Sequence, residues 1–139
     1  MKASNQPRVR VKDVAKGVIL ALVTSAVLMV IPEGLVLPLV AIFMGVASGV
    51  YVGFALKDPE AKEAPIQWAG AIVFAVAAAV GLWASPWWLV AGWVAHALWD
   101  SLHHVRTLKT QTSPGYPGLC AAYDLALAAF LAYWIGAGS

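Results

Sequence analysis

The sequence predicts an all-α integral membrane protein, a bundle of five transmembrane helices, and three observations lead there. Hydrophobic residues make up 61% of the 139 residues and charged residues only 12%, against roughly 25% charged in a soluble domain. Mean hydropathy is +0.77. Five apolar segments can be drawn, each near the roughly 20 residues that cross a bilayer as helix. With the N-terminus inside, those spans leave all nine Lys and Arg residues on one side of the membrane. The whole chain, 1–139, reads as a single transmembrane domain.

The first span, about 14–31, follows a basic stretch and resembles a signal peptide in outline. Pro32-Glu33-Gly34 stands where small cleavage-site residues would be expected, so the segment reads as retained. The alternation Arg8-Val9-Arg10-Val11-Lys12 before it suits anionic headgroups. The second span, about 35–56, carries Gly45, Gly49 and Gly53 on one face, a small-residue stripe that predicts close packing within the chain or against another subunit. A charge run over 57–65 separates it from the third span, about 66–84. Short turns at 32–34 and 84–86 predict that the helices they join are antiparallel neighbours. The fourth span is about 87–105 and the fifth about 119–136. Trp83, Trp87, Trp88, Tyr133 and Trp134 gather at the outer interface, where amphipathic rings settle.

The basic residues orient this bundle. Lys2, Arg8, Arg10, Lys12 and Lys16 precede or open the first span, Lys57 and Lys62 lie in the second connection, and Arg106 and Lys109 in the fourth. A formal charge of +2 is too small to suggest nucleic acid as a partner. The one cysteine, Cys120, cannot form an internal disulfide.

Chemistry concentrates at one place. All three histidines of the chain fall between residues 96 and 104, in His96-Ala97-Leu98-Trp99-Asp100-Ser101-Leu102-His103-His104. An ionisable group in hydrocarbon costs roughly 2.5–3.5 kcal/mol on insertion scales, so it is seldom there without a task. On a helix, His96, Asp100 and His103 fall within an arc of roughly 60°. Asp124 enters the fifth span from the same side at matching depth, with Cys120 and Tyr123 at helical spacing beside it. The expected site is a cytoplasm-facing pocket lined by His96, Asp100, His103, His104, Tyr123 and Asp124. Imidazole and carboxylate on one face suit a metal, a proton relay, a catalytic pair, or an interhelical pair that only fixes packing.

The residues HALWDSLHH, then Tyr116-Pro117, Cys120 and Tyr123-Asp124, resemble an uncharacterised family of small bacterial membrane proteins with a WD-x-x-HH element followed by YP…C…YD. That resemblance covers the last third of the chain, implies a bacterial inner membrane, and brings no assigned activity. Asp100-Ser101-Leu102-His103-His104 also resembles the H-x-x-H-H box of membrane fatty-acid desaturases and hydroxylases, with Asp100 in place of the first histidine. His96-x-x-x-Asp100 is similar to their H-x-x-x-H box. Those enzymes surround a di-iron centre with many histidines; the smaller set here implies a single metal, or a site completed by carboxylates.

Three function classes follow. The first is a metal-dependent enzyme acting on a lipid or other hydrophobic small molecule, with His96, Asp100 and His103 holding iron or zinc and Asp124 and His104 as catalytic groups. The second is an accessory or cofactor-binding subunit of a larger membrane complex, assembled through Gly45, Gly49 and Gly53. The third is a small oligomeric proton- or cation-coupled transporter. The topology is directly testable: reporter fusions are expected to place the N-terminus inside and the chain beyond residue 136 outside. Both ends on one side would overturn the five-span reading.

Overall fold

Helix forms where the chain is apolar and stops where proline or a polar loop intervenes. The computed structural model describes residues 9–58 and 62–138; Lys2, Arg8, Ser139 and loop residues 59–61 lie outside the described residues. The helices are α1 (Val11–Val30), α2 (Glu33–Lys57), α3 (Ala64–Trp83), α4 (Trp87–His104) and α5 (Tyr116–Gly136), with no strand among the described residues. α1 ends because Ile31 precedes Pro32 and is held extended at φ −85°, ψ 162°. Pro65 and Pro117 sit in the first turns of α3 and α5, where a missing N–H costs nothing. Gly115 supplies the left-handed turn into α5 at φ 81°. Pro38 lies inside the second turn of α2.

α5 packs between α1 and α4, α2 packs on α3, and α4 also touches α2 and α3. Residue pairings fix the directions. Gln67 meets His103 at one end of α4, while Leu89 covers Gly81 at the other, so α4 runs antiparallel to α3 over its full length. His96 meets Asp124 and His104 lies over Gly118, so α4 is antiparallel to α5 as well. α1 runs parallel to α5, with Gly17 against Leu119 and Thr24 against Tyr123.

Four helices, α1, α2, α3 and α5, are long and apolar enough to cross a membrane. α4, with 18 residues, carries all three histidines and Asp100 in its interior and last turn, and it turns His96, Asp100 and His103 inward. The apolar surface of the bundle faces outward: Leu22, Val23, Ile72, Val73 and Leu98 are all more than half exposed. Trp83, Trp87, Trp88 and Tyr133 are also exposed, at the end away from the basic residues.

Two expectations about packing are corrected. α1 and α2, joined through Ile31 and Pro32, do not form a packed hairpin, because α1 lays its Gly17, Ala21, Ser25 and Leu28 face on α5. The Gly45, Gly49, Gly53 stripe is not a close-packing surface within the described chain: a Cβ at any of them would meet nothing within 4 Å. α2 buries Val36, Val40, Met44, Ser48, Tyr51 and Val52 instead, and those bulkier side chains fill the core while the glycines turn outward. The close approach falls at Gly17, where a Cβ would strike the Leu119 carbonyl oxygen and Ala122.

A Gly17→Leu substitution should therefore lower stability by roughly 1–3 kcal/mol or more through overpacking. Gly49→Leu should leave the isolated chain unchanged. Thermal unfolding in detergent distinguishes them, and the reverse order would contradict this packing.

Candidate functional site

The helical repeat of α4 places His96 and Asp100 one turn apart on its enclosed face, with relative exposures of 1% and 0%. α5 brings Asp124, 1% exposed, to the same point. His96 Nδ1 lies 2.7 Å from Asp124 Oδ2 and 3.6 Å from Asp100 Oδ2. One ligand-type atom from each of the three residues lies within 4.8 Å of the others. α2 adds a fourth member: the Tyr51 hydroxyl donates to Asp100 Oδ1 at 2.5 Å. The His96 ring is bounded edge-on by Phe74, with centroids 4.8 Å apart. Two polar atoms in this enclosure, His96 Nε2 and Asp100 Oδ2, have no hydrogen-bond partner.

His103 stands apart from these three ligand-type groups. Its ring stacks on Tyr51 at 3.9 Å, and Nδ1 donates to the Trp99 carbonyl at 2.9 Å. That leaves Nε2 to accept from the Gln67 side-chain amide at 2.9 Å, so both ring nitrogens are engaged away from Asp100 and Asp124. The same Gln67 amide donates to Thr110 Oγ1 at 3.0 Å, and Thr110 Oγ1 donates to Glu63 at 2.8 Å. Glu63 also accepts from the backbone N–H groups of Lys109 and Thr110 at 2.8 and 2.7 Å. A polar ladder thus runs from the loop after α4 down to His103, which rests on Tyr51.

The remaining expected members are scattered. His104 is half-buried at the C-terminal end of α4, over Gly118. Tyr123 turns to α1 and donates to Thr24 Oγ1 at 3.3 Å. Cys120 is half-buried beside Tyr116, near Asp100. The end of the bundle that carries Arg106 and Lys109 has one cavity of about 560 Å³ touching His103 and another of about 410 Å³ touching His103 and His104. Neither is lined by His96, Asp100 or Asp124. His103 and His104 thus border these cavities while the buried trio does not, and His103 stacks on Tyr51, which bonds Asp100.

Tyr51, Gln67 and Glu63 were not among the residues the sequence singled out. A tyrosine or glutamine within an apolar span needs a partner for its polar end, and that requirement was the available signal.

Residues 12–139 match a family of unknown function (DUF6010). The chain belongs to that family. The match covers nearly all of the chain and is consistent with an uncharacterised family. No curated protein and no solved structure matches the chain.

Burial pushes the Glu63 carboxyl up, but the Lys109 and Thr110 donors outweigh it and hold the group below its ordinary value of 4.5. The clamp it forms is therefore fully present above the ordinary value and is lost as pH falls through the lower folded one. Hydrogen exchange at the Lys109 and Thr110 amides should accelerate, relative to intrinsic rates, across that acidic range. Glu63→Gln should remove the acid-dependent step.

Proposed function

We propose that the chain crosses the membrane five times and holds a divalent metal ion, iron or zinc in type, between His96, Asp100 and Asp124. In this reading it is a metal-dependent enzyme acting on a lipid or other hydrophobic small molecule. The observation that carries the metal reading is the meeting of one imidazole and two carboxylates, all buried, with facing ligand atoms within 4.8 Å. Two ionised carboxylates at one apolar depth repel each other, and a divalent cation would offset both charges. Imidazole and carboxylate donors suit zinc or iron, with further positions left open for chemistry.

The remaining residues have derived roles. The Tyr51 hydroxyl fixes the orientation of the Asp100 carboxylate through its other oxygen, as an outer partner of a ligand does. Phe74 and Trp93 keep water from the His96 ring. The five-span arrangement is supported by α4 running antiparallel to both α3 and α5 from end to end. Its 18 residues would extend roughly 27 Å at 1.5 Å each, close to a hydrocarbon core of about 30 Å.

A second reading, a subunit of a larger membrane complex, rests on the outward face of Gly45, Gly49 and Gly53. A transport path is disfavoured by the packing beyond the carboxylates, where Met44, Leu89, Trp93, Leu127 and Leu131 are fully buried.

Full-length protein purified in detergent is expected to carry stoichiometric metal by elemental analysis. Stripped protein should take up Co²⁺ with ligand-field absorption. His96→Ala and Asp124→Asn should abolish both signals, while His104→Ala keeps them. Metal-free protein that also fails to bind Co²⁺, with helical circular dichroism intact, would overturn the metal reading.

A further inference from the structure

His104 belongs neither to the buried cluster nor to the Gln67–His103 contacts above it, and it joins two differently lined cavities. The 410 Å³ cavity is bounded by Arg10, Arg106, His104 and Ser113, with Asp13 and Gly118. A trough of about 630 Å³ begins at the same His104 and Gly118 and runs outside α5 between α1 and α4. Its walls are apolar, with Val14 and Val18 from α1 and Val105 just after α4. Its floor is low because α5 presents Gly118, Ala121, Ala122 and Ala126 there. From Gly118 to Ala126 the trough follows α5 for roughly 12 Å at 1.5 Å per residue.

The charges differ sharply between the two parts. Arg10 is held by Asp13 at 2.7 Å, whereas no ion pair engages Arg106 among the described residues. The positive end of the 21-residue α5 borders the same cavity at Gly115, where the Asp13 carboxylate of the Arg10 pair already lies close, so Arg106 is the unpaired charge there among the described residues. Of the polar side chains along the trough, Ser101 is satisfied by the Ala97 carbonyl. His104 Nε2 is buried and unpartnered at the junction of the two parts.

We infer that this cavity and trough form one binding site for an anionic phospholipid of the surrounding bilayer. The phosphate would lie among Arg106, Arg10 and His104, and one acyl chain would lie along α5 between Val18 and Ala126. The charge complementarity and the continuity of polar cavity with apolar trough select this occupant. The basic residues lie at the end of the bundle where headgroups would be, and the trough points toward the hydrocarbon. The site rests on the membrane reading above and is independent of any metal at His96.

Native mass spectrometry of the full chain in detergent, with phosphatidylglycerol and phosphatidylcholine of identical chains, tests it. Phosphatidylglycerol should be retained more strongly. Arg106→Gln should weaken that preference roughly fivefold, the equivalent of about 1 kcal/mol for one basic residue at an anionic surface. Ala121→Phe or Val18→Phe, filling the trough from either wall, should weaken both lipids while circular dichroism stays unchanged. Equal retention of the two lipids, or a preference untouched by Arg106→Gln, would overturn the site. So would inorganic phosphate displacing phosphatidylglycerol at millimolar concentration, which marks a soluble-anion site, or a second copy of the chain covering the trough. Lipid preference that survives His96→Ala separates this site from the fate of the metal reading.

Discussion

Burying a carboxylate without compensation is the constraint around which this bundle is arranged. In a hydrocarbon environment an ionised side chain costs roughly 2.5–3.5 kcal/mol on insertion scales, and Asp100 and Asp124 would raise that cost together at one depth. Each is enclosed and supplied with a donor: Tyr51 for Asp100 and His96 for Asp124. To achieve this, α4 is surrounded by α2, α3 and α5, while α1 is left on the far side of α5. The least apolar helix is thereby the most enclosed one. The helices around it carry the exposed Leu, Val and Ile residues that suit contact with lipid.

The cover over this buried group is built from neutral and partly charged partners in sequence. Glu63 at the start of α3 gathers the loop after α4, and Thr110 and Gln67 pass the contacts inward to His103. His103 spends both ring nitrogens on this cover and contributes its ring face to Tyr51. Three histidines within nine residues therefore have different surroundings. His96 is bound to carboxylate, His103 to amide and carbonyl, and His104 meets the seam between α4 and α5 with one nitrogen unpartnered. Helical rotation of about 100° per residue is enough to separate His103 from His104 in this way.

Small residues do different work on different helices. Gly17 lets α1 reach the backbone of α5, and Gly70, Gly81 and Gly92 lie under Trp99, Leu89 and Met44. The regular spacing of Gly45, Gly49 and Gly53 is the more conspicuous pattern in the sequence, yet it faces outward. A glycine spacing reports that one face of a helix is narrow. Whether another backbone of the same chain fills the space depends on where the bulky side chains of that helix are drawn, and Tyr51 and Met44 draw the opposite face of α2 inward.

Local composition by itself determined the five helical segments, their approximate ends at prolines and polar loops, and the concentration of ionisable groups on the fourth. These properties come from hydropathy and the 3.6-residue repeat, which act within one segment. The pairing of α1 with α5 rather than α2, and the meeting of Asp124 with His96, were decided by tertiary structure. So were the engagement of Tyr51 with Asp100 and the withdrawal of His103 to Gln67. Each depends on which faces of separate helices are turned together, and a polar atom buried on one helix takes whichever partner another helix brings within reach. Hydropathy records that such a partner is needed; only the packed bundle specifies which residue supplies it.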